Sequence, residues 1–229
     1  MALEGSTAKD VQTYRTRKRI KSAARRLFAE RGVNAVSIRD IVKAAGQKNI
    51  GAIHYHFQSK DALILEIASE VARAIDSHRI ARLDALEAAG GPRAIHEVVR
   101  ILIAYPERAK ARRGVDDVSV RLVNTLFIEY RELLFRTLSG EADLGTRRCM
   151  VHIARFLPEI PQPILRQRLI FALLSSSAIL ATREVAEQQP DAWRALWGNP
   201  NTVGNLIDAI VGLLGQPASV AVLEGFSVT

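Results

Sequence analysis

Cysteine is nearly absent from this sequence: Cys149 is the single one among 229 residues. One cysteine cannot form an internal disulfide, so a disulfide-stapled secreted scaffold is excluded and a reducing compartment is favoured. We interpret Cys149 as a small buried hydrophobic residue, with a redox sensor as the minority alternative.

Glycine, proline and long uncharged runs are also scarce. The 14 glycines and 8 prolines are too few for a collagen-like or low-complexity chain, and a hydrophobic content of 48% excludes a disordered one. The uncharged run 169–182 is too short to span a bilayer, and residues 1–14 lack the apolar core of a secretory signal. We therefore expect a cytoplasmic protein that does not bind membranes.

Positive charge is present in excess and lies almost entirely at the N-terminal end. The chain has 32 Lys and Arg against 24 Asp and Glu. Residues 1–60 carry 13 of these basic residues and 4 acidic ones, a net charge of +9, whereas residues 61–229 carry 19 and 20. A basic segment joined to a neutral, apolar remainder predicts a polyanion-binding head. Nucleic acid is the first candidate polyanion, and an anionic membrane surface is the second.

Hydrophobic spacing predicts helices along nearly the whole chain and no strand. The predicted helices are 16–31, a short one opened by Ser37 and ended by Gly46, 49–57, 59–86, 92–105, 116–138, 144–157, 162–188 and 201–214. The fold class is therefore all-α, with a small N-terminal group of three helices on the basic segment and a larger helical remainder. No internal repeat indicates a solenoid.

The two short helices on either side of Gly46, preceded by a long helix, form the pattern of a helix-turn-helix motif. Ser37 can accept a hydrogen bond from a first-turn N–H, and Asp40 three residues later completes a capping pattern. The second short helix would lie in the DNA major groove, which is wide enough to admit it.

Candidate DNA contacts follow from this placement. The polar side chains at the start of the second helix can hydrogen-bond base edges, and the small residues after them let the backbone approach. The candidates for base contacts are Gln47, Lys48, Asn49, Ile50, Gly51 and Ala52. The candidates for phosphate contacts are Ser37, Arg39, His54, Tyr55, His56 and Lys60. No metal site is predicted, since the two histidines lie on different helix faces without a Cys or acidic partner.

Residues 16–65 resemble the N-terminal domain of the TetR/AcrR family of bacterial transcriptional regulators. The resemblance is carried by Leu-Phe-Ala-Glu-Arg-Gly at 27–32, Ser-Ile-Arg-Asp-Ile at 37–41, Ala-Ala-Gly at 44–46 and Tyr-His-Phe-x-Ser-Lys at 55–60. It implies an all-helical homodimer that binds palindromic operators and holds a small-molecule inducer in a larger C-terminal domain. The resemblance implies that Tyr55, His56 and Lys60 contact the DNA backbone. It also implies that residues 47–52 form the face that recognises the bases.

One departure from the family pattern concerns the turn. Members of this family commonly place ten steps between the turn glycine and the motif phenylalanine, whereas Gly46 and Phe57 are eleven apart. The extra residue lies within 47–50, where it lengthens either the turn or the first turn of the recognition helix.

The same patterns divide the chain into an N-terminal flexible arm (1–12), a helix-turn-helix DNA-binding domain (13–58), a helical ligand-binding and dimerisation domain (59–217) and a C-terminal tail (218–229). Helices 162–188 and 201–214 are apolar nearly all round, so we predict that they form the homodimer interface. The pocket candidates, each of which also fits a plain core position, are Ser119, Val123, Phe127, Tyr130, Phe156, Phe171 and Ser175. Few charges point inward, which favours a lipophilic ligand.

No catalytic motif is present: the sequence has no G-x-S-x-G, P-loop, dinucleotide glycine pattern or H-E-x-x-H. We predict no enzyme activity and no cofactor. The function hypothesis is a ligand-responsive repressor that binds a palindromic operator as a dimer and associates with the nucleoid when bound. Two alternatives stay open, a non-specific nucleic-acid or nucleoid-binding protein and a helical protein peripheral to anionic membranes.

Overall fold

The computed structural model describes residues 8–106, 119–130, 143–186 and 192–227, and no strand occurs in these ranges. The all-α class predicted from hydrophobic spacing is confirmed. The helices are α1 (Ala8–Arg31), α2 (Ile38–Ala44), α3 (Gly51–Phe57), α4 (Lys60–Ala88), α5 (Ile95–Leu102), α6 (Val120–Glu129), α7 (Leu144–Phe156), α8 (Gln162–Ala186), α9 (Ala192–Trp197), α10 (Thr202–Gly215) and α11 (Val220–Ser227).

The chain forms two compact units. The described residues of the first unit are 8–71 and 119–130, and those of the second are 72–106, 143–186 and 192–227. The change between units falls within α4. The first unit is therefore larger than the predicted helix-turn-helix domain, because the first turns of α4 and the whole of α6 belong to it.

The first unit has a continuous apolar core beneath the two short helices. Ile20, Ala24 and Phe28 of α1 are fully buried, at the four-residue spacing of one helix face. Ile53 and Phe57 of α3 pack from the other side at the same spacing. Phe28 and Phe57 are thus core residues, as their spacing predicts.

The second unit is organised around α5, α7, α8 and α10. Its hydrophobic core includes Leu83, Val99, Leu102, Cys149, Ile153, Leu165, Leu169, Ile207, Ile210 and Leu214. The thiol of Cys149 has no exposed surface, and burial raises its pKa to about 11. The interpretation of this residue as a small buried hydrophobic side chain is confirmed.

Two charged side chains of α4 cap helix ends in the second unit. Asp76 accepts a hydrogen bond from the N–H of Gly145, in the first turn of α7, at 2.8 Å. Arg79 donates to the carbonyl of Leu102, the last residue of α5, from Nε at 3.0 Å and Nη2 at 2.7 Å, and to the Thr146 hydroxyl at 2.8 Å. These groups have no partner within their own helices, so the two side chains satisfy polar atoms that burial would otherwise leave unpaired.

Several helix boundaries differ from the predicted ones. The first helix begins at Ala8, so residues 8–12 of the predicted flexible arm are helical, and residues 1–7 lie outside the described ranges. The tail predicted to lack a pattern contains α11, a short helix whose apolar side chains are mostly exposed. Of the predicted helix 116–138, the structure describes 119–130, and the remainder lies outside the described residues.

Helix α8 is longer than the uncharged run that it contains. By length and composition it is apolar enough to cross a membrane, contrary to the expectation from the run alone. The bent pair of α10 and α11 would meet the same criterion if it were one span. The core helices of soluble proteins meet the same criterion, so it is weak evidence for a membrane span. No other helix in the described ranges meets it.

Candidate nucleic-acid interface

Helix α2 begins with a complete capping box. The N–H of Asp40 donates to Ser37 Oγ at 3.2 Å, and the N–H of Ser37 donates back to Asp40 Oδ2 at 2.9 Å. The hydroxyl of Ser37 also donates to the same carboxylate, and these hydrogen bonds hold the pKa of Asp40 below its ordinary value. The predicted cap is confirmed. Its hydroxyl is engaged within the box, so a phosphate contact by Ser37 stays a prediction.

The turn after α2 depends on glycine at position 46. Gly46 has φ +64°, and its N–H bonds the Lys43 carbonyl at 3.1 Å while the N–H of Gln47 bonds the Val42 carbonyl at 2.9 Å. This pair of bonds is the Schellman pattern, which ends a helix with a left-handed residue. A Cβ at this position would also lie 2.6 Å from Nη2 of Arg19. The left-handed conformation therefore favours glycine here, whereas the exposed Arg19 side chain can move aside.

The extra residue of this motif lies in the turn. Helix α3 begins at Gly51, two residues later than predicted, so residues 47–50 precede the recognition helix and do not form its first turn. The delayed start has a local cause: the side-chain oxygen of Asn49 accepts the N–H of Gly51 at 2.9 Å, an Asx turn that holds the backbone out of the helix. Lys48, Asn49 and Ile50 are exposed, whereas Gln47 is half-buried.

Helix α3 presents one face to solvent and one to the core. Ile53 and Phe57 are buried, while Gly51, His54 and Tyr55 are exposed, with Tyr55 at 71%. His56 is half-buried, and burial followed by the nearby Arg17 cation lowers the pKa of its ring. Near neutral pH its imidazole is therefore uncharged, so a phosphate contact by His56 would be a neutral hydrogen bond.

The remaining phosphate candidates lie around these helices. Arg39 is exposed on α2. Lys60, at the start of α4, donates from Nζ to the Val33 carbonyl at 2.8 Å, which leaves ammonium protons for another acceptor. Ser59 caps α4 by accepting the N–H of Ala62 at 3.0 Å. The structure thus brings the predicted residues to one helix-turn-helix motif, and their contacts with DNA stay predictions.

A ladder of ion pairs between α1 and α4 was missed by sequence reasoning. Glu66 pairs with Arg17 at 2.6 Å and Lys21 at 2.9 Å, and Glu70 pairs with Lys21 at 2.5 Å and Arg25 at 2.6 Å. Burial alone would lower the pKa of Lys21, but the hydrogen bonds that its ammonium group donates to both carboxylates raise it. The available signal was the four-residue spacing of the charges on each helix, which does not reveal that the two helices pair.

The ladder matters for the electrostatics of the first unit. The ladder pairs three basic side chains with two carboxylates of α4. It therefore offsets only a small part of the net charge of +9 carried by residues 1–60. The basic residues that stay exposed are Lys9, Arg15, Lys18, Arg19, Arg26, Arg31, Arg39, Lys43 and Lys48. A polyanion can therefore meet a surface that keeps the positive charge seen in the sequence.

The predicted pocket residues fall in both units. Val123 is buried on α6, with Ser119, Phe127 and Tyr130 half-buried around it. In the second unit Phe156 is half-buried, and Phe171 is exposed at 48% on a helix predicted to form the homodimer interface. These residues as a ligand pocket stay a prediction. Within the described residues there is no cluster of three or more His, Cys, Asp or Glu that could hold a metal ion.

Two charged side chains of α6 contact residues at and just after the end of α1. Glu129, which stays exposed, accepts the N–H of Asn34 at 2.9 Å, and Arg121 donates to the Glu30 carbonyl at 3.4 Å. This part of α6 therefore packs on the basic helices through polar contacts that its own periodicity does not reveal.

Comparison with known proteins identifies the motif. Residues 20–67 match the model of bacterial regulatory proteins of the tetR family. The repressor AcnR of Corynebacterium diphtheriae is 28% identical over 149 residues, which are 65% of this chain and 72% of that protein. AcnR of Corynebacterium glutamicum is 36% identical over 107 residues, which are 47% of each chain, so the match covers less than half of that relative.

Among solved structures, Salmonella enterica GusR matches 92% of this chain and 99% of its own, at 21% identity and a TM-score of 0.48. The family match lies on the elements just described: the end of α1, the capped α2, the Gly46 turn, α3 and the first turns of α4. Regulators of this family bind DNA and act as dimers. Over residues 20–67 this chain is therefore similar to the tetR family of bacterial regulatory proteins.

Proposed function

We propose that this chain is a ligand-responsive repressor that binds a palindromic operator as a homodimer. The observation that carries the proposal is the exposed face of α3 and its preceding turn, set among exposed basic residues and backed by the buried Ile53 and Phe57. A helix anchored on one side and exposed on the other can enter a major groove. The relatives named as transcriptional repressors support the direction of regulation.

The homodimer is proposed to form through the second unit. Helix α8 buries Leu165, Leu169 and Ala172 on one side and exposes Ile170 and Phe171 on the other. Leu174 is also exposed, at 37%. Exposure of an apolar face of this kind to water is unfavourable, and packing against a second copy would bury the face. Helix α10 contributes less than its sequence suggested, since Leu206, Ile207, Ile210 and Leu214 are turned into its own unit.

A dimer gives the protein two heads. Two recognition helices can contact half-sites roughly 34–36 Å apart, and together they supply affinity that one short helix lacks. The dimer would have two states that differ in the distance between its DNA-binding heads. A small lipophilic ligand that binds more tightly to the state whose heads do not fit both half-sites would cause the operator to be released. Ligand and operator then oppose each other by the same coupling free energy. The site of action would be the cytoplasm, at the nucleoid.

Selection of bound duplexes from a random DNA pool tests this proposal. We expect the full chain to enrich a two-fold symmetric sequence, and to bind it at least a thousandfold more tightly than a scrambled duplex of the same composition, as specific DNA-binding proteins do. A non-specific nucleic-acid binder would bind both duplexes alike, with the same salt dependence. A peripheral membrane protein would bind anionic vesicles and enrich nothing. Either of these two results contradicts the proposal.

A further inference from the structure

The guanidinium group of Arg17 joins three helices of the first unit. It extends from α1, and its Nη1 donates to the main-chain carbonyl of His56 in α3. Its Nη2 donates to Glu66 of α4 at 2.6 Å. The same cation lies over the ring of Phe57, 4.4 Å from the ring centroid. One side chain thus touches the backbone of the recognition helix, its main core anchor and the helix that follows it.

The recognition helix is short enough for such contacts to decide its position. With seven residues it would be marginal alone, so its placement depends on what packs against it. Its last carbonyls lack partners inside the helix. The N–H of Gln58 satisfies the carbonyl of His54 at 3.1 Å, and the N–H of Ser59 satisfies that of Phe57 at 2.8 Å. Arg17 takes the carbonyl of His56, where a cation is also favoured by the helix dipole.

Arg17 is itself held in place by the ladder. Glu66 is fixed by Lys21 at 2.9 Å, and Lys21 by Glu70 at 2.5 Å. The basic side chains become less exposed along this series, from 33% at Arg17 to 11% at Arg25. Arg17 is therefore the solvent-side end of a network that is anchored deeper between α1 and α4, and its direction is set before any DNA arrives.

We propose that Arg17 is a positioning residue for sequence recognition. It fixes the rotation and depth of α3 relative to α1 and α4, so that Tyr55 and the 47–52 segment meet the groove in one register. Base contacts require that geometry, whereas attraction to phosphates does not. The guanidinium bonds a carbonyl and a carboxylate through separate nitrogens while its central carbon lies over a ring, so lysine is not an equivalent replacement. This proposal rests on the proposed function.

The test compares two affinities of the full chain. One probe is the duplex that the wild type enriches from a random pool, and the other is a scrambled duplex of the same length and composition. Arg17→Met and Arg17→Lys should each lower the ratio of the two affinities by roughly tenfold or more, comparable to the loss of one good base contact. The matched control is Arg26→Met, which also removes one charge from α1 but whose side chain is 58% exposed and pairs within the helix with Glu30. It should leave the ratio unchanged.

Glu66→Gln separates positioning from electrostatics. This change makes the basic head one charge more positive, so charge alone predicts tighter binding to both duplexes. Loss of the ion pair that holds Arg17 predicts instead that the affinity for the selected duplex falls relative to the affinity for the scrambled one. If Arg17→Met does not fold, as judged by thermal unfolding, Arg17→Lys and Glu66→Gln decide the question. If these variants leave the ratio unchanged, the positioning role of Arg17 is overturned and the proposed function is not. If the wild type enriches no sequence, both the proposed function and the role of Arg17 are overturned.

Discussion

At the level of single residues, Gly46 has a left-handed backbone that a side chain would strain. Gly46→Ala should destabilise the first unit by about 1–2 kcal/mol. The Arg19 guanidinium, 2.6 Å from the new Cβ, is the exposed end of a flexible side chain and can move aside at little cost. DNA affinity should fall with it, because the turn orients α3. Chemical unfolding and duplex binding measure the two effects.

The matched control for that change is Gly225→Ala. Gly225 lies in α11 without a left-handed backbone, and no atom lies within 4 Å of the position that an alanine Cβ would take. Alanine is the better helix former, so this variant should be neutral or slightly more stable. Equal stability of the Gly46→Ala and Gly225→Ala proteins would contradict the strain assigned to the turn.

Tyr55 and Lys48 should differ in what they contribute to DNA binding. Tyr55 is 71% exposed, so Tyr55→Ala should leave the fold intact and weaken binding to the selected and scrambled duplexes by similar factors. Lys48→Ala should instead change which bases are enriched near the centre of each half-site. Repeating the pool selection with each variant measures this. An unchanged preference in Lys48→Ala would argue against base contact in the turn.

The role of a residue can be predicted from sequence when its partners lie close to it along the chain. The Ser37 cap, the Gly46 turn and the buried Phe28 all follow from patterns within a few positions. Arg17 contacts residues 39 and 49 positions away, and no spacing rule connects them. Its role depends on the packing of α1 against α4, which sequence patterns do not specify.

At the level of elements, the start of α2 should respond to acid. The pKa of Asp40 is lowered in the folded protein, so its contribution to stability is complete above its ordinary value of 3.8 and is lost as the pH falls through the folded-state value. Asp40→Ala should therefore lower the melting temperature at pH 7, and its difference from the wild type should shrink below about pH 4.

A double-mutant cycle with Ser37→Ala checks that the effect comes from the capping box. The two residues share reciprocal hydrogen bonds, so their effects on the free energy of unfolding should be clearly non-additive. Additive effects, or a difference from the wild type that persists unchanged at pH 3, would contradict the assignment.

Long helices and the two short helices of the helix-turn-helix motif were predictable, whereas two short helices near the C-terminus were not. α4, α7 and α8 have enough turns for the apolar period to fix their extent within a few residues. α9 and α11 have six and eight residues, too few for a period to be recognised. The start of α3 was misplaced because a side-chain hydrogen bond from Asn49, rather than hydrophobic spacing, determines where the helix begins.

For the whole molecule, the exposed side of α8 should control assembly. Phe171→Asp places a charge on the apolar face proposed to meet a second copy, and should raise the dimer dissociation constant at least tenfold. Sedimentation over a range of concentrations measures this constant. The matched control is Val151→Asp on α7, an apolar side chain of similar exposure (53% against 48%) outside the proposed interface. A dimer that tolerates both changes equally would contradict an interface on α8.

The turn between α2 and α3 has a consequence for how such a regulator can diverge. Each helix has its own terminator, the Schellman bonds at Gly46 on one side and the Asn49 side chain on the other. Gln47 belongs to the first pattern through its N–H and Asn49 to the second, so we expect a change of length to be best tolerated at Lys48. The operator preference proposed here could then differ between related proteins through the length of this turn as well as through the identity of a side chain.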